Sequence, residues 1–219
     1  MLVPKVQIRV IVFDYDGTLV DSNSIKRDAY RSLFPQNKAF YELLDIVLED
    51  VPAGSRYDII REMLTRSFAE NWYPDKLAAE VERLAKCYDS IATEGAAICP
   101  ERPGATKLLE LLAQEYPLYM LSTTLEESLR YIAKRRNWTH FFKLIRGFPC
   151  NKALELKAFA KAENIKISEV LMVGDSELDM NAAEKAGSQF LYLREKTSIR
   201  EVLDHLAGIP ASFIKTNII

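Results

Sequence analysis

One short stretch constrains the fold of this chain more than any other. Ile11-Val12-Phe13 is continuously apolar and runs directly into Asp14-Tyr15-Asp16-Gly17-Thr18. Within a segment rich in β-branched residues (6–13), such a run is the pattern of a central strand buried on both faces, as in a parallel sheet. Residues 118–121, 170–173 and 190–193 repeat the pattern, and residues 142–148 repeat it more weakly. Helical spacings stand between them, with Leu108, Leu109 and Leu112 in one and Leu125, Leu129 and Ile132 in the next. Strand and helix alternating in this way predict an α/β fold with a doubly wound, mainly parallel sheet.

Residues 21–96 break the alternation. Only helical periods occur there: Ile25, Ala29 and Leu33; Phe40, Leu43 and Val47; Ile60, Leu64 and Phe68; then Leu77, Val81, Leu84, Tyr88 and Ile91. Punctuation at Pro35, Pro52-Ala53-Gly54 and Pro74 divides the stretch into four expected helices. The expected organisation is an α/β core of residues 1–20 and 97–219, with residues 21–96 inserted as an all-helical domain.

With 219 residues, 48% of them hydrophobic, the chain can bury a core without staples. A formal net charge of −2 gives no electrostatic footprint for nucleic acid or for an anionic membrane. No apolar run approaches membrane-spanning length, and Lys5, Gln7 and Arg9 interrupt the apolar stretch near the start, where a secretory signal would need continuity. Cys87, Cys99 and Cys150 lack metal-ligand spacing and read as reduced thiols, so a cytoplasmic location is expected.

Ligands of an open parallel sheet bind beyond the carboxyl ends of its strands, which is where Asp14 and Asp16 fall. Alternation turns both to one side and Tyr15 to the other. An acidic turn with no chemistry is the plain alternative. An EF-hand loop fails on spacing, because counting from Asp14 puts Leu19 where glycine is required and Ile25 where the bidentate glutamate belongs. The segment 117–121 ends in Ser122-Thr123-Thr124, which offers hydroxyls beside the first strand, or an ordinary turn. The segment 170–173 ends in Gly174-Asp175-Ser176 and opens a helix. Asp179 stands one turn beyond Asp175, within reach of the sheet end, although helix capping by Asp175 or Ser176 would explain the pattern equally. Lys152 precedes that strand by one helix and is placed to reach the same point, or to be a surface lysine.

Together these residues resemble the motifs of the haloacid dehalogenase superfamily, over nearly the whole chain. Asp14-Tyr15-Asp16-Gly17-Thr18-Leu19 is similar to the first motif and Leu121-Ser122-Thr123 to the second. Lys152 is similar to the third, and Gly174-Asp175 through Asp179 to the fourth. The helical insert resembles the superfamily's small helical cap. Thr123 and Ala153 depart from the asparagine and proline common in capped members. The resemblance implies a magnesium-dependent phosphomonoester hydrolase acting on a small phosphorylated metabolite, expected to be a monomer. Asp14 is then the nucleophile that forms an aspartyl-phosphate, and Asp16 the general acid and base. Ser122 and Lys152 hold the phosphoryl oxygens, with Thr123 beside them. The Mg2+ ligands are Asp14, Asp175 and the Asp16 carbonyl, with Asp179 orienting them from behind. In the cap, Arg56 is a candidate grip on the substrate's non-reacting end.

Asp16 argues against a haloacid dehalogenase proper, which has no use for a second acidic residue. Gly54-Ser55-Arg56 supplies no Schiff-base lysine for phosphonoacetaldehyde hydrolysis. Gly174-Asp175-Ser176 lacks the position and the downstream Asp-x-x-His spacing of a serine esterase. A phosphomutase of the β-phosphoglucomutase type and a non-catalytic phosphate-binding module stay open beside the hydrolase.

Overall fold

The apolar run that opens the chain forms β1 (Val10–Phe13), with every residue buried. It is paired on both edges, as that apolar character demands. Ile11, Val12 and Phe13 align with Leu118, Tyr119 and Met120 of β2 (Leu118–Leu125). Val10 to Phe13 align with Val170 to Val173 of β4 (Val170–Gly174). With β3 (Leu144–Phe148) and β5 (Gln189–Tyr192) outside them, the five strands are parallel in the order β3-β2-β1-β4-β5. The structure is a computed structural model, and it describes residues 7–52, 54–67, 72–194 and 198–207. Lys5, Val6, Ala53 and Phe68, on which the sequence expectations drew, lie outside the described residues.

Two compact units make up the chain: residues 1–22 with 97–219, and residues 23–96. The second is wholly helical among its described residues: α1 (Asn23–Ser32), α2 (Lys38–Asp50), α3 (Arg56–Ser67) and α4 (Pro74–Ile98), the last reaching into the first unit. Its apolar stripes meet in one core that includes Leu44, Val47, Ile60, Met63, Val81 and Leu84. There Tyr30 stacks on Tyr88 with ring centroids 4.2 Å apart.

In the sheet unit, side-chain alternation sends Val10, Val12, Tyr119, Leu121, Val170 and Met172 to one face. They pack against Leu156, Phe159 and Ala160 of α7 (Lys152–Ala162) and Ala182, Ala183 and Ala186 of α8 (Glu177–Ala186). Lying against β2 and β3 is α6 (Glu126–Arg135); α5 (Ala105–Leu112) precedes β2, and α9 (Glu201–Ala207) follows β5. β2 continues to Leu125, beyond the end at Leu121 read from the sequence. Leu125 pairs with Phe148 after a register shift, so Ser122, Thr123 and Thr124 close the strand rather than form a turn.

The order matters for chemistry. From β1 the chain winds outward to β2 and β3, then returns to β4 on the other side. Where the winding reverses, between β1 and β4, an open parallel sheet offers a binding crevice at its strands' carboxyl ends. Asp14 follows β1 and Asp175 follows β4, one on each neighbouring strand.

Met120 sits fully buried at the centre of this sheet. Met120→Ala is expected to lower stability by about 2–5 kcal/mol in urea unfolding, and an unchanged midpoint would contradict the packing.

Candidate active site

At the end of β1 the chain turns sharply. Gly17 has φ +73°, in the left-handed region that side chains disfavour, and its N–H donates to the Val20 carbonyl at 2.9 Å. A Cβ at Gly17 would lie 1.9 Å from Asp175 Oδ2, so glycine is required for Asp175 to approach the loop. Thr18 Oγ1 donates to the same carboxylate at 3.3 Å. Tyr15 turns the opposite way into the core, where its hydroxyl accepts from Arg136 Nε at 2.9 Å and its ring meets Trp138 edge-on.

Lys152 opens α7, behind an Asn151 cap that accepts the Leu154 N–H. Its ammonium donates to Asp14 Oδ1 at 2.8 Å and to Asp179 Oδ1 at 2.5 Å. Asp179 is fully buried because Gly174 has no side chain to exclude it, a Cβ there falling 2.6 Å from the Asp179 Cβ. Its other oxygen, Oδ2, accepts from Ser176 Oγ at 2.6 Å and from the Ser176 N–H at 3.3 Å, a reciprocal cap that starts α8. The helix cap and the contact with Lys152 are therefore one device, not alternatives.

Asp16 faces hydroxyls. Its Oδ1 accepts from Ser22 Oγ at 2.6 Å, and its Oδ2 from Thr124 Oγ1 at 2.7 Å and, more loosely, from Ser122 Oγ at 3.4 Å. Ser122 is buried and also accepts the Thr124 N–H at 3.1 Å, whereas Thr123 is exposed. Arg56 belongs to the helical unit, where its Nε pairs with Asp89 at 2.9 Å and its guanidinium lies over the Tyr57 ring. Burial raises the Asp89 carboxyl by more than Arg56 lowers it.

Six sequence candidates thus share one neighbourhood in the sheet unit: Asp14, Asp16, Ser122, Lys152, Asp175 and Asp179. The sequence reading missed Ser22 and Thr124 as partners of Asp16. The one cue was Thr124 beside Ser122, since nothing in the spacing brings Ser22 to the same carboxylate.

Charge is unevenly distributed here. Burial pushes the Asp14 carboxyl up to about 8; Lys152 opposes the rise, while Asp179 and Asp16 add to it. Burial alone would lower the Lys152 ammonium, but Asp14 and Asp179 outweigh it and the net shift is upward. Oxygens of Asp14, Asp175 and Asp179 lie within 4.8 Å of one another. Asp179 is committed to Lys152 and Ser176, which leaves Asp14 and Asp175 as the carboxylates suited to a hard divalent cation. An all-oxygen donor set of this kind fits Mg2+.

Residues 8–187 match the family described as haloacid dehalogenase-like hydrolase. The chain is 28% identical over 208 residues to 6-phosphogluconate phosphatase of Escherichia coli (strain K12), covering 85% of this chain and 82% of that protein. It is similar in fold to a haloacid dehalogenase-type hydrolase of Bacillus subtilis bound to magnesium, at a TM-score of 0.71, 19% identity, and 93% and 100% of the two chains. A subfamily IA hydrolase from Geobacter sulfurreducens PCA superposes at a TM-score of 0.66, with 21% identity over 91% and 96%.

A carboxyl raised from 3.8 to about 8 stabilises the metal-free fold below the lower value, and that contribution is lost as pH rises through the upper one. Thermal stability in excess chelator should therefore fall across this window. Asp14→Asn, which cannot ionise, should flatten the fall, and equal slopes for the two proteins would contradict the assignment.

Proposed function

The chain belongs to the haloacid dehalogenase-like hydrolase family, and we propose that it is a magnesium-dependent phosphatase of small phosphorylated metabolites with Asp14 as nucleophile. The observation that carries this reading is the Lys152 ammonium spanning Asp14 and Asp179, with Asp175 alongside, at the point where the winding of the sheet reverses.

Asp14 attacks phosphorus in line with the leaving oxygen and forms an acyl phosphate, which splits one difficult displacement into two easier ones. Asp16 gives its proton to the departing alkoxide. It then takes a proton from the water that attacks the acyl phosphate at phosphorus, releasing inorganic phosphate and restoring Asp14. Its three hydroxyl neighbours favour this role, since they fix the carboxyl's direction without adding charge. Lys152 and Ser122 hold the non-bridging oxygens as charge redistributes, and Thr123 lies beside them. The side chains of Asp14 and Asp175 and the Asp16 carbonyl would hold Mg2+, which would supply the charge neutralisation that lets a carboxylate meet a phosphate dianion. Asp179 orients Lys152 from behind.

The helical unit, residues 23–96, is proposed as the cap that selects the substrate, with Arg56 gripping its non-reacting polar end. Because the E. coli relative is named for 6-phosphogluconate, that compound belongs in the first substrate panel.

Release of phosphate from an aryl phosphate should vanish in excess chelator and return with Mg2+. Asp14→Asn should abolish it, and Asp16→Asn should slow it roughly 10²- to 10⁴-fold, the usual worth of general acid–base catalysis. Full turnover in chelator, or near-native turnover by Asp14→Asn, would defeat the mechanism.

Arg56→Ala should cost about 1.5–3 kcal/mol in kcat/KM toward the natural substrate, and almost nothing toward an aryl phosphate that lacks a second polar end. Equal losses on both substrates would exclude the grip.

A further inference from the structure

The loop that carries Asp16 is also held through its main chain. Arg102 is buried, at 8% exposure, in the segment by which the chain returns to the sheet unit. Its guanidinium forks between two main-chain carbonyls, donating through Nη2 to Gly17 and through Nη1 to Arg194 at 2.8 Å. The Arg102 main chain grips the same loop. Its N–H donates to the Leu19 carbonyl at 2.9 Å, and the neighbouring Glu101 forms an antiparallel bridge with Val20.

We infer that Arg102 is a positioning residue for the metal-binding side of the site: by fixing the Gly17 carbonyl, it sets Asp175 and the Asp16 carbonyl for Mg2+. This rests on the metal reading proposed above. The link runs through contacts with little slack. Gly17 is confined to a left-handed conformation, and Asp175 Oδ2 occupies the space that a Cβ on Gly17 would fill. A shift of the loop at Gly17 therefore presses the Gly17 Cα into Asp175 or opens a gap beside it. The Asp16 carbonyl carbon, bonded to the Gly17 nitrogen, is carried with that shift, as is the Thr18 contact to Asp175 Oδ1. Arginine suits the task because its planar fork meets two carbonyls at once, whereas lysine offers a single flexible point of charge.

This role is distinct from one confined to stability. A residue that merely holds the fold together lowers the melting temperature and leaves the folded protein's affinity for a metal unchanged. A residue that shapes a metal site from behind typically changes affinity about 10- to 100-fold.

The test uses the full-length protein without substrate: Mg2+ is titrated calorimetrically, and amide hydrogen exchange of residues 15–20 is followed in excess chelator. In Arg102→Gln, the Mg2+ dissociation constant should rise about 10-fold or more. Residues 15–20 should exchange faster before any metal is added. Arg102→Lys, which keeps the buried charge but not the fork, should fall between this variant and the unaltered protein, and it decides the matter if the glutamine variant does not fold. An unchanged dissociation constant in a folded variant, whatever its melting temperature, would overturn the inference and leave the metal reading standing. Failure of the unaltered protein to bind Mg2+ would overturn that reading and this inference with it.

Discussion

The ammonium of Lys152 lies between two buried carboxylates, and the geometry of the candidate site follows from that arrangement. Any one of these charges left alone in the interior would cost several kcal/mol. Held at 2.8 and 2.5 Å they compensate one another, and three stretches of chain meet as a result. The end of β1 brings Asp14, the first residue of α7 brings Lys152, and the first turn of α8 brings Asp179. Two of them are placed by backbone features close in sequence: Lys152 by Asn151 capping α7, and Asp179 by the reciprocal cap with Ser176 and the glycine at the end of β4.

That balance is incomplete, and its incompleteness is chemically useful. Asp16 and Asp179 add negative charge beside Asp14, an Asp175 oxygen lies within 4.8 Å, and burial raises the cost of ionising Asp14. A nucleophilic carboxylate in such surroundings calls for further positive charge, which a divalent cation provides in the proposed reaction. Asp16 is treated differently. The hydroxyls of Ser22, Thr124 and Ser122 donate to it and fix the direction of its carboxyl group.

Much of this was legible in the sequence, for identifiable reasons. A strand buried on both faces must be apolar along its length, so Ile11-Val12-Phe13 and residues 170–173 announced themselves, and strand ends in an open sheet are where polar residues acquire meaning. Asp14, Asp16 and Asp175 could be named because each adjoins such a signal, and Lys152 because it stands one helix before the strand of residues 170–173. The partners of Asp16 were harder to find. Ser22 reaches it through the fold of the loop, and Thr124 through the extension of β2, which depends on a register shift against β3. Arg102 and Arg136 carry no local pattern at all. Their contacts with Gly17 and Tyr15 span 85 and 121 residues, and single-sequence periodicity contains no such distances.

The central claim is that the Asp14 carboxylate takes the phosphoryl group covalently. Its most direct test is to quench the enzyme during turnover of a phosphorylated substrate, reduce it with borohydride and map the peptides by mass spectrometry. Reduction of an aspartyl-phosphate converts that aspartate to homoserine. The account predicts homoserine at position 14, dependent on substrate. Homoserine at another aspartate, or an unmodified Asp14 in enzyme quenched while the intermediate accumulates, would contradict it.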